Sequence, residues 1–343
     1  MRLEDYPFGH SDLLGGLRRY LGAPSLRLIG LRDLPAPEFL PGSPYDQRPF
    51  VAEIELDAHQ HQLALNLHEG APTAVRREQG MYRFLAPHLP ILVPGFVASD
   101  DLKGWLILEN FDELRPPGSW TVDDYREAVD NLALLHDRFW GLEDDLDTFE
   151  WLGRPLDRDF SQIEGLASGA LDKFGAEPHP LLDDPAIHIA FEGLVDNLGV
   201  IAQELNQQRL TLLHGDYWAG NVARPLDGRQ MVTHWRHAAI GPAILDVVMF
   251  RQQTRMQVKP AMPINAAIAR YRAQITERQG KFIWDNQAWN RATDYALMWS
   301  FAVHWLNRLT TIPEDDYAAL HDRFYDVWLA PLLDVIAGQL NVS

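Results

Sequence analysis

The residues best suited to chemistry lie in the run LLHGDYWAGNV at residues 212–222. An apolar lead-in delivers a His-Gly-Asp turn, and Asn221 follows five residues after Asp216. The carboxylate of Asp216 can accept the proton of an attacking hydroxyl, and the amide oxygen of Asn221 can hold a metal ion. This spacing predicts phosphoryl transfer, provided that the Asp216 side chain projects, uncovered, into a gap between two lobes.

Composition limits the classes of protein that can carry this loop. The chain has 343 residues, enough for two domains or lobes, and 46% of them are hydrophobic, which predicts an ordinary folded core. It has no cysteine, which excludes disulfides, thiolate metal sites and a cysteine nucleophile. The N-terminus lacks the apolar stretch of a signal peptide, and no apolar run approaches a membrane span, so we expect a cytoplasmic protein without membrane contact.

The charge of the chain bears on its partners. The formal net charge is −18 and no basic stripe is present, which disfavours nucleic acid as a partner. Acid is concentrated between Asp112 and Glu192, where 20 Asp and Glu stand against 6 Arg and Lys. This excess of acidic residues is either a solvated face or the source of a field that attracts a cationic small molecule. The sequence carries no signal for an oligomeric state.

Hydrophobic periodicity divides the N-terminal third into a helix, a small sheet and a second helix. A short helix is expected within residues 1–25, and the proline-rich stretch at 34–44 cannot be helix or inner strand. The predicted strands lie near 50–56, 63–67, 91–97 and 105–109, with a hairpin connection at 57–61 and a helix at 74–85. These elements predict an antiparallel sheet with one helix against it.

From about residue 111 the pattern becomes helical. Thr121 and Asp124 form a plausible capping box at the start of one helix. Further helices are expected near 186–205, 264–279, 286–309 and 317–340, with a strand near 230–233. The sequence therefore predicts an α+β protein with a β-rich N-terminal lobe at 1–110 and a helical C-terminal lobe at 111–343. A cleft between two such lobes is a usual place for a ligand.

In this order the segments resemble the aminoglycoside/choline phosphotransferase family, which has a protein-kinase-like fold. The resemblance is patchy but spans most of the chain. Its strongest part is the run at 212–222, followed by GPAILDVV at 241–248 and LALLHDRFW at 132–140. In the N-terminal lobe, RREQGMYRFL at 76–85 and LILENF at 106–111 look like the family's helix and hinge strand.

The resemblance implies roles for the residues that match. Asp216 would be the catalytic base and Asn221 a metal ligand, with His214 fixing the loop and Asp246 bracing it. His136 would be a packed core residue. An ordinary turn at Asp216, or a helix-capping role for Asp246, is the structural alternative.

The resemblance also implies ATP and a divalent cation, Mg²⁺ or Mn²⁺. Glu78 corresponds to the helix glutamate that pairs with a strand lysine in the family. Glu109 to Phe111 corresponds to the hinge whose backbone hydrogen-bonds the adenine, so we take these residues as nucleotide-binding candidates.

Three departures cluster at this expected nucleotide site. Asn66 stands where the family has its lysine, which leaves Glu78 without its usual partner unless an arginine such as Arg76 or Arg77 substitutes. Residues 43–50 contain no glycine-rich turn. His234 stands where the family has a metal-binding aspartate, and Arg236 replaces a usually acidic neighbour.

The change at His234 is the most damaging of the three. A neutral histidine in place of aspartate removes one negative charge from a site that must hold a divalent cation. At about 4 Å and an effective dielectric near 20, the lost charge pair is equivalent to about 4 kcal/mol, or roughly a thousandfold in metal affinity or rate. Imidazole is a poor ligand for Mg²⁺ and suits Mn²⁺ or Zn²⁺ better. A transition-metal site from His214, His234 and His237 is conceivable, although hydrogen-bonded structural histidines explain the same pattern.

Two functions follow from these observations. The first is ATP-dependent phosphorylation of a hydroxyl on a small molecule. The alternative is a catalytically impaired pseudokinase that binds a ligand or partner. For the acceptor, a group of tryptophans in the C-terminal third is either core packing or a cage for a cation such as a quaternary amine: Trp284, Trp289, Trp299, Trp305 and Trp328.

Overall fold

The computed structural model describes residues 5–35, 46–111, 114–176, 184–280 and 283–340. The chain divides into two units: residues 1–119 together with 220–238, and residues 120–219 together with 239–343. The segment 220–238, expected in the C-terminal lobe, thus belongs to the first unit. Most of the proline-rich stretch at 34–44 and the start of the 43–50 segment lie outside the described residues.

An antiparallel sheet of five strands forms the centre of the first unit, in the order β1-β2-β3-β5-β4. The strands are β1 (Arg27–Asp33), β2 (Asp46–Leu56), β3 (His59–Glu69), β4 (Phe96–Asp100) and β5 (Trp105–Glu109). The strands predicted at 50–56, 63–67 and 105–109 are confirmed. The strand predicted at 91–97 begins only at Phe96, and β1 was not predicted.

The hairpin between β2 and β3 fixes which side chains share a face. Its turn consists of Asp57 and Ala58, whose φ angles of 50° and 64° are both positive, as a two-residue primed turn requires. The alternation then buries Leu65 and Leu67 in the core of the unit. Asn66 and His68 consequently project from the opposite face of β3.

Two helices accompany the sheet. Helix α1 (His10–Tyr20) packs Leu13 and Leu17 into the core. A Cβ at Gly16 would come within 2.5 Å of the Val97 carbonyl oxygen, so only glycine permits this approach to β4. Helix α2 (Pro72–Gly80) continues as a π-helical turn over Met81–Leu85, in agreement with the helix predicted at 74–85.

A short hairpin completes the first unit. Its strands are β7 (Val222–Ala223) and β8 (Met231–Val232), paired antiparallel. Strand β6 (Leu210–Leu213) and strand β9 (Ala239–Pro242), which flank the hairpin in sequence, pair with each other in the second unit.

Helices dominate the second unit. Helix α3 (Val122–Arg138) begins with the predicted capping box, in which the Asp124 amide donates to Thr121 Oγ1 and the Thr121 amide donates to Asp124 Oδ2. The others are α4 (Glu143–Asp147), α5 (Phe160–Ala176), α6 (Pro185–Asp196), α7 (Leu198–Asn206), α8 (Ile244–Gln257), α9 (Ile264–Gln279), α10 (Asn286–Phe301), α11 (Asn307–Leu309), α12 (Glu314–Phe324) and α13 (Ala330–Gln339).

Three long predicted helices differ from the structure in detail. The helix expected at 186–205 is divided at Asn197 into α6 and α7, bent by 53°. The helices expected at 286–309 and 317–340 contain π-helical turns at Ala302–Leu306 and Tyr325–Leu329. The predicted α+β class, with a small antiparallel sheet and a helical C-terminal part, is confirmed.

Among the described helices, no single one has the length and hydropathy needed to cross a bilayer. Helices α6 and α7 meet that requirement only as a bent pair.

Candidate active site

The loop after β6 is held in place by one buried carboxylate. Asp246, in the first turn of α8, is fully buried. Its Oδ2 accepts a hydrogen bond from the amide of His214 at 2.7 Å, and its Oδ1 accepts one from the amide of Gly215 at 2.8 Å. Gly215 has a φ of 81°, a conformation that favours glycine. Asp246 therefore fixes the backbone directly before Asp216.

Three further hydrogen bonds hold the rest of the loop. The amide of Asp216 donates to Nδ1 of His214 at 3.2 Å, so the His214 ring accepts a hydrogen bond within its own turn. The hydroxyl of Tyr217 donates to the carbonyl oxygen of Ala128 on α3 at 2.6 Å. The amide of Ala219 donates to Oγ1 of Thr254 on α8 at 3.2 Å.

Asp246 is itself supported by His136. Nε2 of His136 lies 3.2 Å from Asp246 Oδ2, and Nδ1 lies 2.8 Å from the hydroxyl of Tyr271. Burial, with the nearby charge of Asp246, raises the pKa of Tyr271 well above its ordinary value, so the phenol keeps its proton. The phenol can then donate to Nδ1 while Nε2–H donates to Asp246, and His136 is a core residue, as expected.

Asp216 is more covered than the sequence indicated. It keeps 9% of its surface, so the carboxylate is largely buried in this structure and not the open group that we expected. Its charge acts on His304 and Arg308: burial lowers the pKa of both side chains, and Asp216 opposes that shift. These two residues near the candidate base were not found from the sequence, because their helical segment carries no motif.

In the first unit, the β7–β8 hairpin positions Asn221 and His234 at the same end. The amide and the hydroxyl of Thr233 donate to the carbonyl oxygen of Asn221 at 2.9 and 3.1 Å. His234 has φ 65° and ψ 54°, a left-handed conformation that is uncommon outside glycine. Backbone strain of this kind is concentrated at functional positions in proteins.

The imidazole of His234 is linked to the residue at the expected lysine position. Nε2 of Gln47 lies 2.7 Å from Nε2 of His234 and 3.1 Å from its Nδ1. Asn66 in turn donates from Nδ2 to Oε1 of Gln47 at 3.1 Å. Residues 66 and 234, the two largest departures from the family pattern, are thus joined through one side-chain amide.

Glu78 has basic partners that the sequence analysis did not identify. Oε1 of Glu78 lies 3.3 Å from Nδ1 of His68, and Oε2 lies 3.4 Å from Nε of Arg236. Burial alone raises the pKa of Glu78, but His68, Arg236 and His234 outweigh burial and lower the pKa to about 2. Arg77, suggested as a substitute, instead donates to the carbonyl oxygen of Arg236.

The sequence matches the model of the Phosphotransferase enzyme family over residues 46–283, more than half of the chain. The chain belongs to this family. No curated protein matches the sequence.

Solved structures related to this phosphotransferase family share the fold. The macrolide 2'-phosphotransferase MphH from Brachybacterium faecium is 19% identical with a TM-score of 0.50, over 91% of this chain and 97% of that one. The choline kinase LicA from Streptococcus pneumoniae is 9% identical with a TM-score of 0.53, over 94% and 98%. The complex of streptomycin, ATP and APH(2")-IIa is 13% identical with a TM-score of 0.53, over 95% and 99%. The predicted protein-kinase-like fold is confirmed.

The remaining candidates for nucleotide binding lie at the end of β5. Oε2 of Glu109 accepts from the amide of Gly95 at 3.0 Å, and the amide of Glu109 donates to the Gly95 carbonyl oxygen at 2.8 Å. The amide of Asn110 donates to the carbonyl oxygen of Ala64. Phe111 is partly buried. The segment is therefore fixed to the sheet, and its role toward adenine stays a prediction.

The donors at the family's metal position do not fit Mg²⁺. Asn221 and His234 offer one amide oxygen and one imidazole, whereas Mg²⁺ prefers hard oxygen ligands in octahedral geometry. Of the alternative histidine set, His234 lies beside His68 and Glu78, and His237 is exposed.

The tryptophans of the C-terminal third pack mainly in the core. Trp284, Trp299, Trp305 and Trp328 are buried, and the rings of Trp305 and Trp328 lie 5.9 Å apart. Trp289 is partly buried, with the guanidinium of Arg272 placed 5.3 Å from its ring centre. These contacts support core packing over a cage formed by all five rings.

Proposed function

We propose that this protein transfers a phosphoryl group from ATP to a hydroxyl of a small molecule, with Asp216 as the base. The observation that carries the proposal is the pair of hydrogen bonds from the His214 and Gly215 amides to the two oxygens of Asp246. They fix the backbone before Asp216 in one conformation. The loop therefore has the rigidity that catalysis by positioning requires.

Asp216 has the chemistry for this role. Phosphoryl transfer needs little covalent help from the protein, so orienting the acceptor hydroxyl and accepting its proton are the main tasks. Asp216 is not the uncovered group that the sequence predicted, but 9% of the residue's surface stays accessible. A hydroxyl that reaches its carboxylate competes with little water. Arg308 places a guanidinium charge near it. Burial lowers the pKa of His304, so that imidazole is neutral near pH 7.

Glu78 is ion-paired even though Asn66 stands at the position of the family's strand lysine, and this supports a nucleotide-binding role for the first unit. Arg236 and His68 place basic groups against the two oxygens of Glu78. The helix glutamate is therefore anchored, although not by a strand lysine. The roles proposed for these residues do not depend on Mg²⁺, which Asn221 and His234 do not suit.

The acceptor is proposed by class only. The related structures are named for macrolide phosphorylation, choline phosphorylation and a streptomycin complex. The net charge of −18 favours an acceptor that carries protonated amines over an anionic one. A hydroxyl-bearing amine, tested beside a neutral alcohol of the same size, separates these preferences.

A second candidate is a pseudokinase that binds a ligand or partner without transferring phosphate. The observation that favours it is the chain Asn66–Gln47–His234, in which two altered positions hydrogen-bond through one amide. Such a network keeps these side chains engaged with each other, and breaking it to admit a triphosphate costs free energy.

Nucleotide binding and turnover distinguish the two candidates. We propose thermal-shift titrations with ATP, GTP and ADP, each with Mg²⁺, Mn²⁺ or chelator, because ligand binding to the folded state raises its stability. The same samples are then assayed for acceptor-dependent ADP formation across amino alcohols, aminoglycosides, macrolides and neutral sugars. Turnover with at least one acceptor supports the enzyme, whereas a nucleotide shift without turnover supports the pseudokinase. If no nucleotide raised the melting temperature and no acceptor were turned over, phosphoryl transfer would be refuted.

A further inference from the structure

We propose that His68, Glu78 and His234 form a binding site for a divalent transition-metal ion, with Zn²⁺ as the best fit. All three residues lie in the first unit and are buried, with 2%, 0% and 7% of their surface remaining. The inference stands whether or not the protein transfers phosphate.

The geometry is close to what a metal ion requires. One ligand atom from each residue can be chosen so that all of them lie within 4.8 Å of one another. Two ligands bound about 2.1 Å from a tetrahedral ion are separated by about 3.4 Å. Nδ1 of His68 and Oε1 of Glu78 already lie 3.3 Å apart. Only the His234 ring has to approach, by a rotation about its side-chain bonds.

The hydrogen bonding of the cluster also indicates a missing partner. Within the described residues, Nδ1 of His68 and both oxygens of Glu78 are buried without a hydrogen bond of good geometry. A buried polar atom in that condition costs about 1–3 kcal/mol. An ion between Nδ1 of His68 and Oε1 of Glu78 would satisfy both atoms at once.

The donor types select the ion. Two imidazoles and one carboxylate suit Zn²⁺ and other borderline metals, and three protein ligands leave a coordination position open. Mg²⁺ is excluded by its preference for oxygen. Arg236, 3.4 Å from Oε2 of Glu78, leaves Oε1 as the oxygen available to the ion. The positive charge of Arg236 weakens the binding of a cation, so we expect moderate affinity for the metal ion.

A second layer of side chains fits the bound state. With a metal on one nitrogen of His234, the other nitrogen carries a proton and must donate it. Oε1 of Gln47 can accept that proton if its amide is turned over. If the Asn66 amide turns over as well, Nε2 of Gln47 donates to Oδ1 of Asn66, an atom that is buried without a hydrogen bond in the described residues. Two amide rotations, at Gln47 and at Asn66, therefore satisfy these groups.

Cobalt titration tests the site without nucleotide. The full chain, without an affinity tag and treated with chelator, is titrated with Co²⁺ and followed by its visible absorption, and Zn²⁺ then displaces the cobalt. We expect one tight equivalent per chain with the spectrum of a four- or five-coordinate ion. His68→Gln and Glu78→Gln should weaken binding by more than the roughly 10–100-fold expected for the outer-layer variant Gln47→Ala.

His61→Gln serves as the matched control, because His61 is exposed on the same strand. It should leave the cobalt spectrum and affinity unchanged. Stoichiometric binding that survives both His68→Gln and Glu78→Gln in folded protein would overturn the proposal, as would the absence of a tight equivalent.

If these variants do not fold, X-ray absorption on the zinc-loaded wild-type protein decides. The proposal requires two imidazoles and one carboxylate in the ligand shell, and any other shell contradicts it.

Discussion

Arg236 and Glu78 form a buried ion pair, with Nε and Oε2 3.4 Å apart and side-chain exposures of 7% and 0%. In sequence the two residues are far apart, and Arg236 looked like one more loss from the family pattern. In the structure it provides a guanidinium to the glutamate that lacks a strand lysine. The substitutions at this site are therefore coupled, and each can be tested by removing one partner.

Replacing Arg236 by Gln should destabilise the protein by about 3–5 kcal/mol, because it leaves a buried carboxylate with less compensation. The free energy of unfolding in urea measures this loss. Arg229→Gln is the control, since Arg229 pairs with Asp227 on the exposed part of the β7–β8 hairpin and its loss should change little. Equal effects of the two substitutions would contradict a structural role for the Arg236–Glu78 pair.

Asp246→Asn should loosen the loop before Asp216. An asparagine offers one oxygen and one NH₂ group, so either the His214 or the Gly215 amide loses its acceptor, at a cost of about 1–3 kcal/mol. We expect lower stability together with faster hydrogen exchange at both amides. Asp130→Asn, which neutralises the partly exposed partner of Arg270, should change neither. Unaltered exchange at His214 and Gly215 would show that the loop does not depend on Asp246.

Tyr271→Phe tests the support behind Asp246. The substitution removes the hydroxyl that lies 2.8 Å from Nδ1 of His136, and that nitrogen is fully buried. We expect a loss of about 1–3 kcal/mol in the free energy of unfolding. Tyr325→Phe, at an exposed tyrosine, should have almost no effect. A neutral result at Tyr271 would mean that His136 is held by packing alone.

Local patterns were predicted well from the sequence. The loop at 212–222, the capping box at Thr121 and the helix at 74–85 depend on residues near one another in the chain. Their physical signals, a cap or an apolar period, are complete within a short window. The family assignment followed from the same local motifs and their order.

Non-local contacts explain what was missed. The partners of Glu78 lie 10 and 158 positions away, at His68 and Arg236, and no periodicity connects them. The break at Asn197 was invisible because the apolar period continues from α6 into α7. Strand β1 was overlooked, since Gly30 interrupts its alternation where the pairing with β2 is irregular.

Asp294 should make stability depend on pH in an unusual direction. Burial raises its pKa above 3.8, although Gln339 and Arg251 act against the shift. The folded state then binds the proton more tightly than the unfolded state. Above the folded-state pKa, the buried Asp294 is ionised and lowers the free energy of unfolding by its full amount. As the pH falls through the folded-state pKa toward the unfolded-state pKa, this loss disappears and the protein becomes more stable.

Asp294→Asn keeps an oxygen to accept from Nε2 of Gln339 and removes the charge. The variant should be more stable than wild type at pH 7, by an amount that partial exposure of the site keeps small. The difference should vanish below pH 3.8, where aspartate is neutral in both states. Denaturant unfolding of both proteins at several pH values measures it, and a wild type that is the more stable at pH 7 would contradict the expected sign.

The most direct test of the account is phosphate transfer by wild type and Asp216→Asn under identical conditions, with the phosphorylated acceptor quantified by mass spectrometry. With folding matched by circular dichroism and thermal melting, we predict acceptor-dependent transfer by wild type and a rate roughly 10²–10⁴-fold lower in the variant. Equal rates of transfer by the two proteins, or no transfer by wild type to any acceptor, would contradict the assignment of Asp216 as the base of a phosphotransferase.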